Sequence, residues 1–306
     1  MMLRRIPKGD DQSSNRSSSS ANSSQRESTL PRKFQEMFRL MEKGRWEKAH
    51  KILKANRKNI PKTVDSSGLT PLAYALSFQA PEYIVREILE ADPESPGKVD
   101  SFNATPLHLA CLNGTTSEIV RLIFDQDNGE SAKAVDHGNY SVLHHAVEYI
   151  CLLIEKRHKR SQDACSESIE SEHEDYLEII KLICSKAPQT VHCRTKDDGD
   201  TPLDIPYIIM LRQTYINPQM QERLLEVYQL LKRVSISVYR QRKKEWEDTK
   251  RDVNVAVDCG GSIPSMVSSN ASSAASQSLS LFKDSVTGSC IQTDAKQCIE
   301  QQRFIP

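Results

Sequence analysis

Apolar side chains recur through the middle of the chain at intervals of three and four, the spacing that lines one face of an α-helix. Leu109 and Leu112 lead into Ile119, Val120 and Ile123. A second stripe is formed by Leu177, Ile179, Ile180 and Ile183, and a third by Leu224, Val227, Tyr228 and Leu231. The two-residue alternation of a half-buried strand is nearly absent, so the pattern predicts an all-α fold. At both ends the pattern stops. Residues 11–29, DQSSNRSSSSANSSQREST, hold no large apolar side chain, and residues 251–306 carry SSNASSAASQS with only short clusters. Such segments bury too little to offset the entropy of ordering, so tails at 1–30 and 251–306 are expected to be disordered. Within the second tail, LSLF at 279–282 is the candidate linear binding motif.

The helical stripes belong to a repeat. GLTPLAYAL (68–76), ATPLHLACL (104–112), YSVLHHAVE (140–148) and DTPLDIPYI (200–208) align on Thr70, Thr105, Ser141 and Thr201, at intervals of 35, 36 and 60 residues. A second anchor, Ile84-Val85, Ile119-Val120 and Ile179-Ile180, keeps intervals of 35 and 60. The long third interval therefore carries an insertion, placed at about 154–175, whose sequence IEKRHKRSQDACSESIESEHED starts basic and turns acidic. This composition predicts a flexible surface loop.

Each copy specifies a helix start. Thr or Ser is a good N-cap, because its hydroxyl accepts from an amide that has no partner within the helix, and Pro71, Pro106 and Pro202 suit the first helical position. Two residues earlier stand Gly68, Asn103, Asn139 and Gly199, the residue types that adopt positive φ at least cost. Asp65, Asp100 and Asp136 come before them. The unit is thus a turn, a capped helix, a short break and a second helix. One helix pair cannot bury its apolar face alone, but stacked copies can.

The pattern D-x-x-G-x-TPLHLA-x(4)-T/S-x-EIV-x-L-I resembles the ankyrin repeat, over about residues 31–235 and most closely at 100–135. The tract ILEADPES (88–95) ahead of VDSFNATPLHLAC is similar in style to divergent ankyrin-repeat proteins of diatoms and other algae. The resemblance implies a solenoid of about five helix-turn-helix units with short turn or hairpin tips. It would comprise an N-terminal capping helix pair at 31–64, units at 65–99 and 100–135, and a unit at 136–195 holding the insertion. A C-terminal capping unit at 196–250 would end in an extended basic helix. In the fourth copy Ile205-Pro206 replaces the Leu-Ala of the family pattern, and a proline is tolerated there only in the first turn. The TPLH histidine, His108 here with His144 at the same place in the third copy, is implied to brace neighbouring turns by hydrogen bonds.

Composition narrows the function. Lys plus Arg and Asp plus Glu are both 41, with a pI near 7.1, so the chain lacks the overall basic footprint of a nucleic-acid binder. The eight cysteines form no CxxC pair, which signals neither a zinc site nor a disulfide framework and suits reduced intracellular thiols. No apolar run approaches the roughly 20 residues of a membrane span. These features predict a soluble, cytoplasmic or nuclear chain without cofactor or small-molecule substrate. No phosphate-binding loop, GxSxG or HExxH is present. The closest approach to catalytic chemistry is His108 with Cys111, one helical turn apart, which would suit a thiol-dependent enzyme. No other copy carries that pair: Ala73 stands at the histidine position of the first, and Asp204 with Tyr207 in the fourth. His144-His145, the insertion's His158, Cys165 and His173, and His192-Cys193 lack a metal-ligand spacing. The basic runs KRHKR (156–160) and RQRKK (240–244) read as solvated helix ends, or alternatively as the contacts of a nuclear regulatory or nucleic-acid-associated protein.

The resemblance further implies that turn tips and the exposed side of each first helix form one concave partner-binding surface. Mapped onto this chain, it takes in Phe78, Phe102 and Asn113 in the first two units. The third contributes His137, Tyr140, Glu148 and Tyr149, and the fourth Asp197, Asp198 and Asp200. Aromatic residues at exposed positions have the composition of interface anchors. Packing between repeats is the competing reading, above all for Tyr149. A non-enzymatic scaffold or adaptor is expected, a monomer whose protein partner offers a basic segment to the acidic fourth turn.

Overall fold

The computed structural model of the chain describes residues 31–65, 68–160, 167–212 and 218–258. The expected tail at 1–30, the LSLF motif and Cys165 lie outside the described residues. Among those described there are ten α-helices and one isolated bridge, Val135 with Ser141, so the fold is all-α, as the periodicity requires. The chain divides into two compact units, one up to Thr115 and one from Thr116. No helix among the described residues is long and apolar enough to cross a membrane.

The first unit holds α1 (Arg32–Glu42), α2 (Trp46–Ala55), α3 (Pro71–Ser77), α4 (Glu82–Ala91) and α5 (Pro106–Asn113). Helix α1 pairs with α2 and α3 with α4, while α3 also lies along α1 and α5. Met37, Met41, Leu53, Leu72, Leu76, Ile84 and Leu107 are fully buried, and the Phe38 ring sits 4.5 Å from that of Tyr74. At about 25 cal/mol per Å² of apolar surface, this burial between stacked pairs, not any one helix, holds the unit together.

The second unit holds α6 (Ser117–Asp127), α7 (Val142–Arg160), α8 (Glu167–Lys186), α9 (Asp204–Arg212) and α10 (Pro218–Asp258). Helices α7 and α8 pack along each other, α8 also covers α6, and α10 lies against α7 and α9. Leu143, Ile150, Ile180, Ile183, Leu224 and Leu231 are fully buried between them. A short 3-10 turn follows each of α2, α4, α6 and α8 in the chain, at Arg57–Lys62, Ser95–Gly97, Glu130–Lys133 and Pro188–His192, a recurrence with no obvious sequence signature.

Helix starts follow the repeat. Thr70 Oγ1 accepts from the Ala73 amide at 3.2 Å. At Thr105 the cap becomes reciprocal: the hydroxyl takes the amide of His108, and His108 Nδ1 accepts from the Thr105 amide at 3.1 Å. Ser141 and His144 keep the histidine half of this, with Nδ1 accepting from the Ser141 amide at 3.0 Å. In the fourth copy Asp204 takes the histidine's place, its Oδ2 accepting from the Thr201 amide at 2.8 Å and hydroxyl at 2.7 Å. Thr105–His108 is thus a capping box with imidazole in place of the usual Glu or Gln, and the third and fourth copies keep its return bond to the backbone amide of Ser141 or Thr201.

Three sequence expectations change. The insertion at 154–175 is not a loop where it is described: α7 continues to Arg160 and α8 begins at Glu167, with 161–166 outside the described residues. The extra turns are held because Leu153, Ile154, His173, Tyr176 and Leu177 are buried. Pro202 does not open the fourth unit's helix, which starts at Asp204. Pro206 has no N–H for the Pro202 carbonyl four residues back, so an α-helical first turn cannot close there. Finally, α10 runs past residue 251, where a disordered tail was expected to begin, as far as Asp258.

Candidate partner-binding surfaces

A small polar bracket builds each turn tip. In the first unit the Asp65 amide donates to the Leu69 carbonyl at 3.0 Å, while Asp65 Oδ1 accepts from the Leu69 amide at 2.8 Å. Asp100 does the same: its amide donates to Ala104 O, and its Oδ1 accepts from the amides of Phe102 (2.8 Å) and Ala104 (2.9 Å). Asp136 in the second unit accepts from Gly138 (2.8 Å) and Tyr140 (2.9 Å). The turns need positive φ where the sequence supplies Gly68 (80°), Asn103 (60°), Asn139 (61°) and Gly199 (73°). The fourth tip is one residue longer, and Thr195 replaces the aspartate, its amide donating to Asp200 O and its Oγ1 accepting from the Asp200 amide. The carboxylate bracket was the part missed in the sequence, although Asp at a fixed offset before each cap carried the signal.

What the tips present differs from copy to copy. Phe102 is 61% exposed, the most exposed large apolar side chain among those described, and sits on a backbone fixed by the Asp100 carboxylate. Phe78 is half-buried, its ring 5.2 Å from that of Tyr74, and its amide closes the end of α3. Asn113 is occupied within its own unit: its side chain donates to Leu109 O and its carbonyl accepts from Gln79.

In the second unit His137 is exposed, and its carbonyl accepts from the Lys196 ammonium at 2.7 Å. The Lys196 amide donates to Gly138 O at 2.9 Å, so the third and fourth tips are latched side by side. Tyr140 is half-buried, stacked on His145 with centroids 5.6 Å apart and planes 11° apart. Its ring lies over Gly138, where an added Cβ would come within 2.9 Å of it. His145 is itself 3.6 Å from Glu148. Tyr149, for which packing between repeats was the competing reading, has its ring stacked on Tyr176 at 4.4 Å, in the packing between α7 and α8. At the fourth tip Asp197 and Asp198 are exposed, whereas Asp200 is half-buried, and burial followed by the charges of Asp204 and Asp198 raises its pKa. The neighbouring Arg194 donates to Gly199 O at 3.0 Å, so one of its N–H groups is directed to a carbonyl instead of an aspartate.

The candidate dyad does not resemble activated chemistry. Cys111 is fully buried and its thiol is pushed up to about 12 by that burial, while His108 is 1% exposed with Nδ1 engaged by Thr105. A nucleophilic thiol needs the opposite, a depressed pKa and access. His144 has both ring nitrogens in use, Nδ1 at Ser141 and Nε2 at the Asp200 carbonyl (3.2 Å), and burial lowers its pKa to about 4. Sequence reading also missed an open cleft of about 570 Å³ between α8 and α10, where Glu174, Glu178, Glu222 and Glu226 alternate with Lys181 and Arg223.

Among solved structures, the chain is similar at 15% identity to one chain of the structure "Bd0816 Predatory Endopeptidase from Bdellovibrio bacteriovorus in complex with immunity protein Bd3460". The match covers 62% of this chain and 96% of that one with a TM-score of 0.32. None of the curated proteins matches the sequence. The family model of ankyrin repeats matches residues 77–163 in three copies. That stretch contains the reciprocal cap at Thr105, the Ser141–His144 bond that matches half of it and the Asp100 and Asp136 brackets, so the chain carries ankyrin repeats over those residues, and related turns stand outside it at Asp65–Thr70 and Thr195–Thr201.

Proposed function

We propose that the chain is a non-enzymatic scaffold or adaptor that binds protein partners through the turn tips of its repeats, in the cytoplasm or nucleus and as a monomer. Ankyrin repeats generally mediate protein–protein interaction. The observation that carries the reading is Phe102. A large aromatic ring left mostly in water on a carboxylate-braced turn combines little ordering cost with much apolar area to bury, which are the attributes of an interface hot spot. In the second unit Tyr140 offers a half-covered ring. Asp197 and Asp198 offer negative charge that suits a basic segment of the partner.

Charge reversal tests the electrostatic part. Asp197→Lys with Asp198→Lys should slow association with a captured partner and flatten its salt dependence, since exposed rim charges act mainly on the rate of encounter. A partner whose association rate and salt dependence are the same for both forms would remove the acidic tip from the interface.

A further inference from the structure

Helix α10 carries a second stripe that the core does not use. Its buried face, Met220, Leu224, Val227, Leu231 and Val238, lies against α7, α9 and the 3-10 turn Pro188–His192. Roughly a quarter turn around the helix, at 100° per residue, runs a column with a period of seven: Leu225, Lys232, Tyr239 and Trp246. Ile236, Lys243 and Lys250 run beside it at the same period, so the two columns alternate by three and four residues. Leu225 is 40% exposed, Ile236 41%, Tyr239 36% and Trp246 43%. From Tyr239 to Arg251 every side chain is exposed apart from a half-buried Asp248.

The stripe contains no carboxylate. Glu245 and Asp248 lie on other sides of the helix, and Glu247 stands at its edge, 3.8 Å from Lys243. The Lys250 ammonium lies 5.2 Å above the Trp246 ring. A narrow seam of this spacing matches the a and d positions of a coiled coil, whereas a helix lying on a membrane presents a broader apolar face. The lysines dictate the partner. A second copy paired in register would set Lys232 and Lys243 against their own equivalents, and burying an ammonium is tolerable only beside a carboxylate.

We propose that this stripe is a docking seam for an acidic amphipathic helix of a partner protein, which packs apolar side chains on Ile236, Tyr239 and Trp246 and places carboxylates against Lys232, Lys243 and Lys250. The seam is separate from the turn tips and does not depend on their role.

The test uses the full chain and two labelled synthetic heptad peptides, identical at their apolar positions, with glutamates flanking the seam in one and lysines in the other, read by fluorescence anisotropy. The acidic peptide should bind saturably and the basic one should not. Lys243→Glu with Lys250→Glu, and separately Trp246→Ala, should each weaken binding by about tenfold or more. These side chains are exposed, so the thermal melt should not move. The proposal is overturned by absent or equal binding of the two peptides, or by acidic-peptide binding that both variants leave intact. Preference for phosphatidylserine vesicles over the acidic peptide, or a dimer of the chain alone that Trp246→Ala dissolves, would overturn it as well.

Discussion

The His144 imidazole joins two turns of the second unit: Nδ1 accepts from the Ser141 amide three residues back, and Nε2 donates to the Asp200 carbonyl 56 residues ahead, at 3.2 Å. Both bonds require the neutral ring with its proton on Nε2. Protonation would turn Nδ1 into a donor facing the Ser141 N–H; burial, the largest cause, opposes the charge as well, while the Asp200 carbonyl pulls the other way.

A pH dependence follows. Burial lowers the folded-state pKa of His144 to about 4, against 6.5 for the free group, so below 6.5 the unfolded chain binds the proton more readily. The stability this group contributes is therefore complete above pH 6.5, declines as pH falls and is lost by about pH 4, with an upper limit on the order of 3 kcal/mol. His192, also lowered by burial, acts in the same direction, while Asp200, raised, acts oppositely. Denaturant unfolding at a series of pH values should show a steeper decline between pH 6.5 and 4 for the wild type than for His144→Asn. Parallel curves would place the lost stability elsewhere.

The caps can be tested singly. Thr105→Ala removes the hydroxyl that accepts the His108 amide but keeps the backbone bond to Nδ1, so a loss of about 1 kcal/mol is expected from the urea midpoint. Asp204→Ala removes both bonds to Thr201 at once and should cost more, about 1–2 kcal/mol. Equal, negligible losses would mean that these helix starts are set by packing alone.

Two glycines separate backbone strain from crowding. Gly199 has φ of 73° and open space around the missing Cβ, so Gly199→Ala should cost about 1 kcal/mol, the left-handed penalty alone. Gly129 has φ of 80°, and a Cβ there would meet Lys186 Cβ and Cγ at 2.8 Å. Gly129→Ala must add to that penalty a shift of α8, because the clash is with the root of the lysine side chain, and a loss of roughly 2–3 kcal/mol is expected. The difference between the two midpoints is the measurement.

Tyr149 and Phe102 should part company under the same substitution. Tyr149→Ala removes a ring stacked on Tyr176 and should lower stability, with a coupling of about 1 kcal/mol to Tyr176→Ala in a double-mutant cycle. Phe102→Ala removes a ring mostly in water and should leave the melt within about 0.5 kcal/mol of wild type. A large loss from Phe102→Ala would mean that its ring packs within the fold.

These contrasts show what sequence could reveal. Thr70, Thr105, Ser141 and Thr201 were legible because a fixed period repeats one local solution, in which cap, turn residue and apolar stripe all point the same way. Tyr149 stayed between anchor and packing, because its fate depends on Tyr176, which arrives after the insertion. The insertion itself read as a loop because its charged residues mask the few apolar positions, Leu153, Ile154 and Tyr176, that carry helix through both of its ends. Asp204 was seen only as a departure from histidine. Its value as a cap emerges once its carboxylate is placed against Thr201. The α10 seam was hidden for another reason: the basic run RQRKK dominates the composition there, and the period-seven column through Tyr239 and Trp246 becomes visible only when the buried face is known.

The most direct measurement of the binding role is partner capture from the native cell by the full chain, compared with the Phe102→Ala, Tyr140→Ala double variant once its melt has shown it folded. At least one captured protein is expected to fall by about tenfold or more, since exposed aromatic anchors carry a disproportionate share of interface energy. Undiminished capture by the folded double variant would contradict the assignment of the turn tips as the binding surface.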